Sequence, residues 1–237
     1  MKSTRPTSTN AQVESDRFHT DYYQKHDLFQ QGTWLEKPNS KVMELGALLS
    51  RRERVSALDL GAGVGRNAIP FAKLFAQGAV TIDCVDIIEV AVEKLRANAA
   101  AQGVSGAINP ILSNVADFHI RPDSYDAIMA MSVLEHAFSA DLFESGISRL
   151  QAGTKREGFN CLSITTDLKE RDCRTGEDLV PLIATPISSK ECREVLQRRY
   201  KDWEITHLSF SPFSETVERD DRTIEWSANY CLVVARR

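Results

Sequence analysis

The chain has 237 residues, 42% apolar and 26% charged, with 29 Lys plus Arg against 33 Asp plus Glu and a formal charge of −4. That balance fits one large α/β domain and offers no basic block that could neutralise a run of phosphates, which argues against a general nucleic-acid binder. No window approaches the roughly 18 to 20 uninterrupted apolar residues that span a bilayer, and the opening MKSTRPTSTNAQVESDR lacks the apolar core of a secretory signal, so the expectation is a cytoplasmic protein without a membrane partner.

Residues 1–18 are polar and aperiodic and read as a flexible tail; residues 19–237 read as one domain, with 19–50 a helical segment at its start. Tyr22, Tyr23, Phe29 and Trp34 mark that segment, Lys37-Pro38-Asn39-Ser40 breaks it, and Ser40 is the expected N-cap of a helix Lys41–Ser50. There follow a strand Val55–Leu60, helix Arg66–Ala76, strand Val80–Asp86, helix Glu89–Gln102, strands Ile108–Val115 and Tyr125–Met131, helix Asp141–Leu150 and strand Phe159–Thr165. Strands alternating with helices of this length need crossovers, and crossovers give a parallel sheet with helices on both faces. After a helix Ser188–Tyr200, the runs Trp203–Phe210 and Thr223–Arg236 have no helix between them and read as an antiparallel hairpin at the sheet edge. The fold class is therefore α/β, Rossmann-like and doubly wound, a mostly parallel seven-stranded sheet with a C-terminal antiparallel hairpin.

Five cysteines, an odd count without C-x-x-C, suggest neither a disulfide framework nor a metal site. Cys84, Cys161 and Cys231 fall inside apolar runs and read as small core residues; Cys173, in a polar loop, is the one worth testing for reactivity.

The strongest local signal is Ala57-Leu58-Asp59-Leu60-Gly61-Ala62-Gly63-Val64-Gly65-Arg66-Asn67-Ala68, a buried strand, a glycine turn and a helix start. Such a turn lets the backbone approach a ligand closely while the helix points free N–H groups at negative charge. Arg66 stands where the dinucleotide fingerprint wants a third glycine. The second strand ends at Asp86, an acceptor for both hydroxyls of a ribose, with Ile87 and Ile88 offering an apolar face to an adenine; the bland alternative is Asp86 as a helix cap. The third strand end brings Asp117, an acceptor for an exocyclic amine, beside Phe118, a ring for stacking. The fourth runs Tyr125-Asp126-Ala127-Ile128-Met129-Ala130-Met131-Ser132-Val133-Leu134-Glu135-His136. All four ends point to one crevice at the carboxyl edge of the sheet.

Motif by motif this order resembles the class I S-adenosylmethionine-dependent methyltransferases over residues 55–237, with LDLGAGVGRN as the glycine-rich cofactor motif, VDI as the ribose position, NVADF as the adenine position and YDAIMAMSVLEH as the strand lining the methyl-transfer site. Within the class it is similar to the tellurite-resistance, TehB-like methyltransferases, through GRN, REGFNCLSITTD, RRYKDWEI, SETVERDD and the ending LVVARR. The family's His-Arg pair before the last strand appears here as Glu218-Arg219, and Lys169–Ile187 is longer than in the family's compact form. The resemblance implies S-adenosyl-L-methionine as cofactor, S-adenosyl-L-homocysteine as product, and cofactor contacts from Asp59, Gly61, Ala62, Gly63, Arg66, Asn67, Asp86, Ile87, Asp117, Phe118 and Met131. The N-terminal segment with Tyr22, Tyr23 and KPNS is similar to the stretch that closes over the cofactor in that group, so Tyr22, Tyr23 and Trp34 are either lid residues or the residues that pack a helix on the sheet edge.

The acceptor expected is small, either an anion of the tellurite or selenite type or a thiol, with O or N of a small organic metabolite as the alternative. His136 is the candidate general base, or else a local hydrogen-bonding residue; Arg219 is a second catalytic candidate and Arg174 a substrate contact, sharing with Arg171 and Arg222 the loops expected to overhang the pocket, where the alternative for each is a solvated charge. A nicotinamide-dependent oxidoreductase and a non-catalytic cofactor-binding protein are the rival readings. A monomer or homodimer is expected, the latter through the exposed edge of the terminal hairpin.

Overall fold

A computed structural model describes residues 10–137, 140–181, 186–219 and 221–237. The chain opens with α1 (Asn10–Lys25) and α2 (Ser40–Leu49), then β1 (Val55–Leu60), α3 (Ala68–Ala72), β2 (Val80–Asp86), α4 (Glu89–Ala101), β3 (Ile108–Leu112) and β4 (Tyr125–Met131). It continues through α5 (Leu134–Ala137), α6 (Ala140–Gly153), β5 (Thr154–Asp172), β6 (Asp178–Leu179), α7 (Ser189–Arg199), β7 (Glu204–Arg219) and β8 (Arg222–Arg236).

The sheet runs β3-β2-β1-β4-β5-β8-β7, with the two-residue β6 paired to β5 off that path. The first five strands are parallel, and β8 lies antiparallel between β5 and β7. The seven-stranded, doubly wound expectation is therefore met, with β6 as an addition. Strand alternation explains the two layers: Ala57 of β1 joins the core under α2, α3 and α4, while Leu58 and Leu60 join the core under α6 and α7. Strand order reverses where β1 meets β4, and this switch point opens the crevice at the carboxyl edge.

The differences from sequence expectation have local causes. Residues 10–18 are helical, not tail: Phe18 and Tyr22, one helical turn apart, bring their rings against Trp34, and Phe18 also meets Trp226 of β8, a tertiary anchor that a polar sequence conceals. Residues 1–9 of the expected tail lie outside the described residues. Asn39, not Ser40, caps α2, its side-chain oxygen accepting from the Lys41 amide at 2.9 Å. The helix expected over Arg66–Ala76 shortens to α3, because after Ala72 the amides of Leu74 and Phe75 bond three residues back. β3 stops at Leu112, and Asn114 turns the chain by accepting from Ala116 at 2.8 Å.

The largest difference is at the end of the chain. β5, β7 and β8 reach 19, 16 and 15 residues and form a three-stranded antiparallel extension through segments expected to be loops. A register shift between Thr166 and Lys169 bends β5 where it leaves the core sheet. Among the described residues no helix is long and apolar enough to cross a membrane.

Candidate active site

The glycine turn between β1 and α3 is fastened to the second strand. The amides of Gly61 and Ala62 donate to the Val85 carbonyl at 2.8 and 3.1 Å, and the Gly63 amide donates to Asp86 Oδ2 at 2.7 Å. Asp86 Oδ1 accepts from the Ile88 amide at 2.9 Å, so the carboxylate also steadies the entry to α4. Gly63 sits at φ +54, and a Cβ there would stand 2.7 Å from the Tyr23 hydroxyl; only glycine lets α1 approach so closely.

Beneath the turn lies Asp59, 1% exposed, with neither carboxylate oxygen in a hydrogen bond of ordinary geometry. Burial pushes its carboxyl up to about 7, and the nearby Arg66 guanidinium offsets only part of that. Arg66 is itself oriented by a 3.0 Å bond from Nη1 to the Trp34 carbonyl. Asn67 Oδ1 accepts from the Asn39 amide at 2.9 Å, which docks the Lys37–Ser40 segment onto the turn.

A cavity of about 490 Å³ opens in front of the turn. Gly61, Ala62, Gly63, Arg66, Asn67 and Met131 form its sheet side, and α1 with the following loop closes it through Ser15, Phe18, His19, Tyr23 and Trp34. Its far wall is the strand extension, where Thr165, Tyr230 and Ser211 lie abreast on β5, β8 and β7, and Glu170, Trp226 and Glu215 form a second row. His136 also lines the cavity; its Nδ1 lies 3.3 Å from Ser15 Oγ, and its ring meets that of His19 edge-on at 5.5 Å. Burial, aided by the charge His19 can carry, lowers His136 to about 3, so the imidazole is neutral across ordinary pH and is a weak base.

Of the residues singled out from sequence, the three turn residues, Arg66, Asn67, Met131, His136, Tyr23 and Trp34 converge on this cavity. Asp59 and Asp86 stand behind the turn, both nearly buried. Tyr22 stacks on Trp34 with ring centroids 3.9 Å apart, and burial raises its phenol above the ordinary range. Ile87 is 41% exposed and Asp117 is exposed beside it at the carboxyl edge. The Phe118 ring packs against the core under α6 and α7 instead of standing free to stack, because Arg149 binds the Phe118 and Ala116 carbonyls and draws that segment down.

The arginines require correction. Arg174 is exposed on the turn after β5, and its backbone amide donates to Asp172. Arg219 extends from β7 to Glu170 with Nη2 to Oε2 at 2.5 Å, the two side chains 12% and 0% exposed. Arg171 pairs with Asp178 at 3.2 Å, and Arg222 approaches Asp172 at 4.0 Å. None of the four lines the cavity, because the segments that carry them are paired strands and tight turns, not overhanging loops. Conversely, Phe18, Glu170, Phe213, Glu215, Trp226 and Tyr230 were not singled out. The signal was available in the alternation of Phe213 with Glu215 and of Trp226 with Tyr230, which puts each pair on one face of its strand.

A family model described as a methyltransferase domain matches residues 57–158, which hold the glycine turn, Asp86 and β4. No curated protein matches the chain. Among solved structures, the chain is similar to TehB from Haemophilus influenzae, at 18% identity and a TM-score of 0.65, covering 92% of this chain and 67% of that one. It is similar to magnesium protoporphyrin IX methyltransferase (ChlM) from Synechocystis PCC 6803, at 15% identity and a TM-score of 0.59, over 98% and 100% of the two chains. It is also similar to the 1,6-didemethyltoxoflavin-N1-methyltransferase of Burkholderia thailandensis, at 18% identity and a TM-score of 0.57, over 99% and 92%. At these identities the solved structures speak for the fold, and the matched segment speaks for the domain that carries the chemistry. The glycine turn, the acidic end of β2 and the fourth strand all lie inside the segment that matches the methyltransferase domain, on a fold shared with these solved structures.

Proposed function

We propose that the cavity binds S-adenosyl-L-methionine against the glycine turn and presents its methyl group to a small-molecule acceptor held by the strand extension. The observation that carries this reading is the turn itself: a backbone cradle only glycine can form, tied to Asp86 at the switch point of the sheet and facing a 490 Å³ cavity. The residues fit the cofactor. Each Asp86 oxygen keeps room for a second hydrogen bond and suits a ribose diol, and Ile87 and Asp117 lie at the edge where an adenine would rest. Arg66 suits a carboxylate, and the unpartnered Asp59 carboxylate supplies negative potential for an ammonium. Phe118 supports this edge from the core side.

S-adenosyl-L-methionine bound there would supply a methyl group on a positively charged sulfur, an electrophile whose leaving group is neutral. The protein's task is to orient the acceptor and exclude water. Tyr23 and Trp34 on the N-terminal segment, with Tyr22 stacked behind Trp34, act as the lid. His136, neutral and weakly basic, positions the acceptor by hydrogen bonding. Arg219 acts through Glu170, whose carboxylate it holds at the cavity wall, and Arg174 lies outside the acceptor contacts. Four buried free thiols and one exposed one, Cys173, suit a reducing cytoplasm, and we place the enzyme there as a monomer or homodimer.

The test is a thermal-shift titration with S-adenosylmethionine, S-adenosylhomocysteine and NADH, since a ligand that binds only the folded state raises the melting temperature with concentration. Shifts with the first two alone are expected. A shift with NADH alone, or with none of the three, would sink the reading.

A further inference from the structure

The acceptor half of the cavity has a definite chemistry. Trp226 stands in the middle of the strand extension with Glu170 on the strand to one side and Glu215 on the strand to the other, a row across β5, β8 and β7. The Phe18 ring of α1 faces it, with centroids 5.9 Å apart, and Phe213 lies on the same wall as Glu215. Among the described residues only one lining side chain is an Arg or Lys, and that is Arg66 on the glycine-turn side. The arginines nearest the extension are directed to carboxylates outside the lining or, as Arg219, are paired with Glu170.

From this we infer that the acceptor is a planar aromatic small molecule whose nucleophile is an uncharged nitrogen, held against Phe213 and the Phe18–Trp226 pair and screened against anions by Glu215. The inference rests on the methyltransferase reading given above.

Three considerations converge on it. Aromatic walls favour a flat π-system, which gains contact area and loses little conformational freedom. A carboxylate or oxyanion entering here would give up its hydration shell beside Glu215, with no Lys or Arg among the described lining residues of this wall to offset it, and like charges in a partly dry cavity repel strongly. An uncharged nitrogen brings its lone pair ready for use and asks for no base, which suits a site where His136 stays neutral and weakly basic. The cavity thus favours the organic-metabolite alternative over a tellurite-type anion, whose recognition would ask for cationic donors at this wall.

The experiment uses the full chain loaded with S-adenosylhomocysteine and follows tryptophan fluorescence during titration with quinoline, quinoline-4-carboxylate and sodium tellurite. Quinoline should bind at least tenfold more tightly than its carboxylate, and tellurite should not displace it. In Glu215→Gln, which removes the charge and keeps the shape, the preference for quinoline over the carboxylate should shrink severalfold while the melting shift caused by S-adenosylhomocysteine is kept. Trp226→Leu should lose quinoline binding, and the same melting shift reports whether that variant is folded. Equal or tighter binding of the carboxylate or of tellurite, an unchanged preference in folded Glu215→Gln, or no binding by any of the three probes would overturn the inference. Failure of S-adenosylhomocysteine itself to bind would instead sink the methyltransferase reading.

Discussion

The backbone amide of Gly63 donates to the carboxylate of Asp86 at 2.7 Å, so the turn after the first strand is held by the last residue of the second. One side chain therefore does two jobs: it fixes the cradle through Gly63 and steadies the entry to α4 through Ile88. The reading of Asp86 as a local cap is present in the Ile88 amide on one oxygen, and the Gly63 amide on the other adds a tie to the turn.

Asp86→Ala should weaken S-adenosylhomocysteine binding roughly ten- to hundredfold, about 1–3 kcal/mol for the loss of a charged acceptor, and lower the melting temperature because two amides lose their partner. Asp86→Asn keeps an acceptor oxygen and should fall between the two. Isothermal titration would measure both; unchanged affinity in a folded Asp86→Ala protein would remove the ribose role.

Gly63→Ala tests the contact between α1 and the turn. A non-glycine residue at φ +54 costs on the order of 1–2 kcal/mol, and its Cβ would press on the Tyr23 hydroxyl. The helix should lift, so limited proteolysis within residues 10–25 should accelerate and cofactor affinity should fall. Adding Tyr23→Phe removes the nearest atom and should restore part of the protection. Equal proteolysis rates in wild type and Gly63→Ala would show that α1 does not rest on the turn.

The parallel half of the fold was legible because its signals are local. Val55–Leu60, Val80–Asp86 and Tyr125–Met131 are buried apolar runs with the bounds expected, and the glycine turn sits where the strand ends. The cofactor side of the cavity followed from it. The acceptor side did not, since the polar, charged stretches 169–172 and 211–222 read as loops. What makes the end of β5 a strand is pairing with residues more than fifty apart in sequence, Glu170 with Trp226 for example, which no local propensity encodes, while the end of β7 folds back on β8 across a short turn, with Arg219 opposite Arg222. For the same reason Arg219 looked like a free loop arginine, and Phe18 looked like the end of a tail.

Asp59 should give the protein a measurable pH dependence. In the unfolded chain its carboxyl titrates near 3.8, whereas burial holds it near 7 in the folded one, so between these values the native state keeps a proton that the unfolded state has released. Stability must then fall as pH rises through that window, and the penalty is complete above it. Glu135, also pushed up to about 7, acts in the same direction, while His136, lowered to about 3, acts oppositely by costing stability as pH falls below 6.5. The comparison that isolates Asp59 is Asp59→Asn against wild type: without cofactor, the variant should gain several degrees at pH 8 and little at pH 4. With S-adenosylmethionine present the order should reverse, because the cofactor's ammonium offers the carboxylate the partner it lacks. A variant that is no more stable at pH 8 than wild type would show that Asp59 is not a buried, uncompensated charge.

Arg219 separates a catalytic group from a positioning one. Its guanidinium holds Glu170 across the extension, nearly sheltered from water, and its other terminal nitrogen is buried without an acceptor. Removing one member of such a pair leaves the other charge stranded, so Arg219→Leu should destabilise the protein by about 3–5 kcal/mol, read in urea unfolding. Glu170→Gln with Arg219→Met removes both charges while keeping shape, and most of that loss should return. If the arginine acts only by holding the carboxylate at the cavity wall, the double variant should keep kcat within a fewfold and show its defect in the KM for the acceptor. A double variant with restored stability but a hundredfold lower kcat would mean that the guanidinium touches the reacting atoms, and the sequence-based expectation of a catalytic Arg219 would stand.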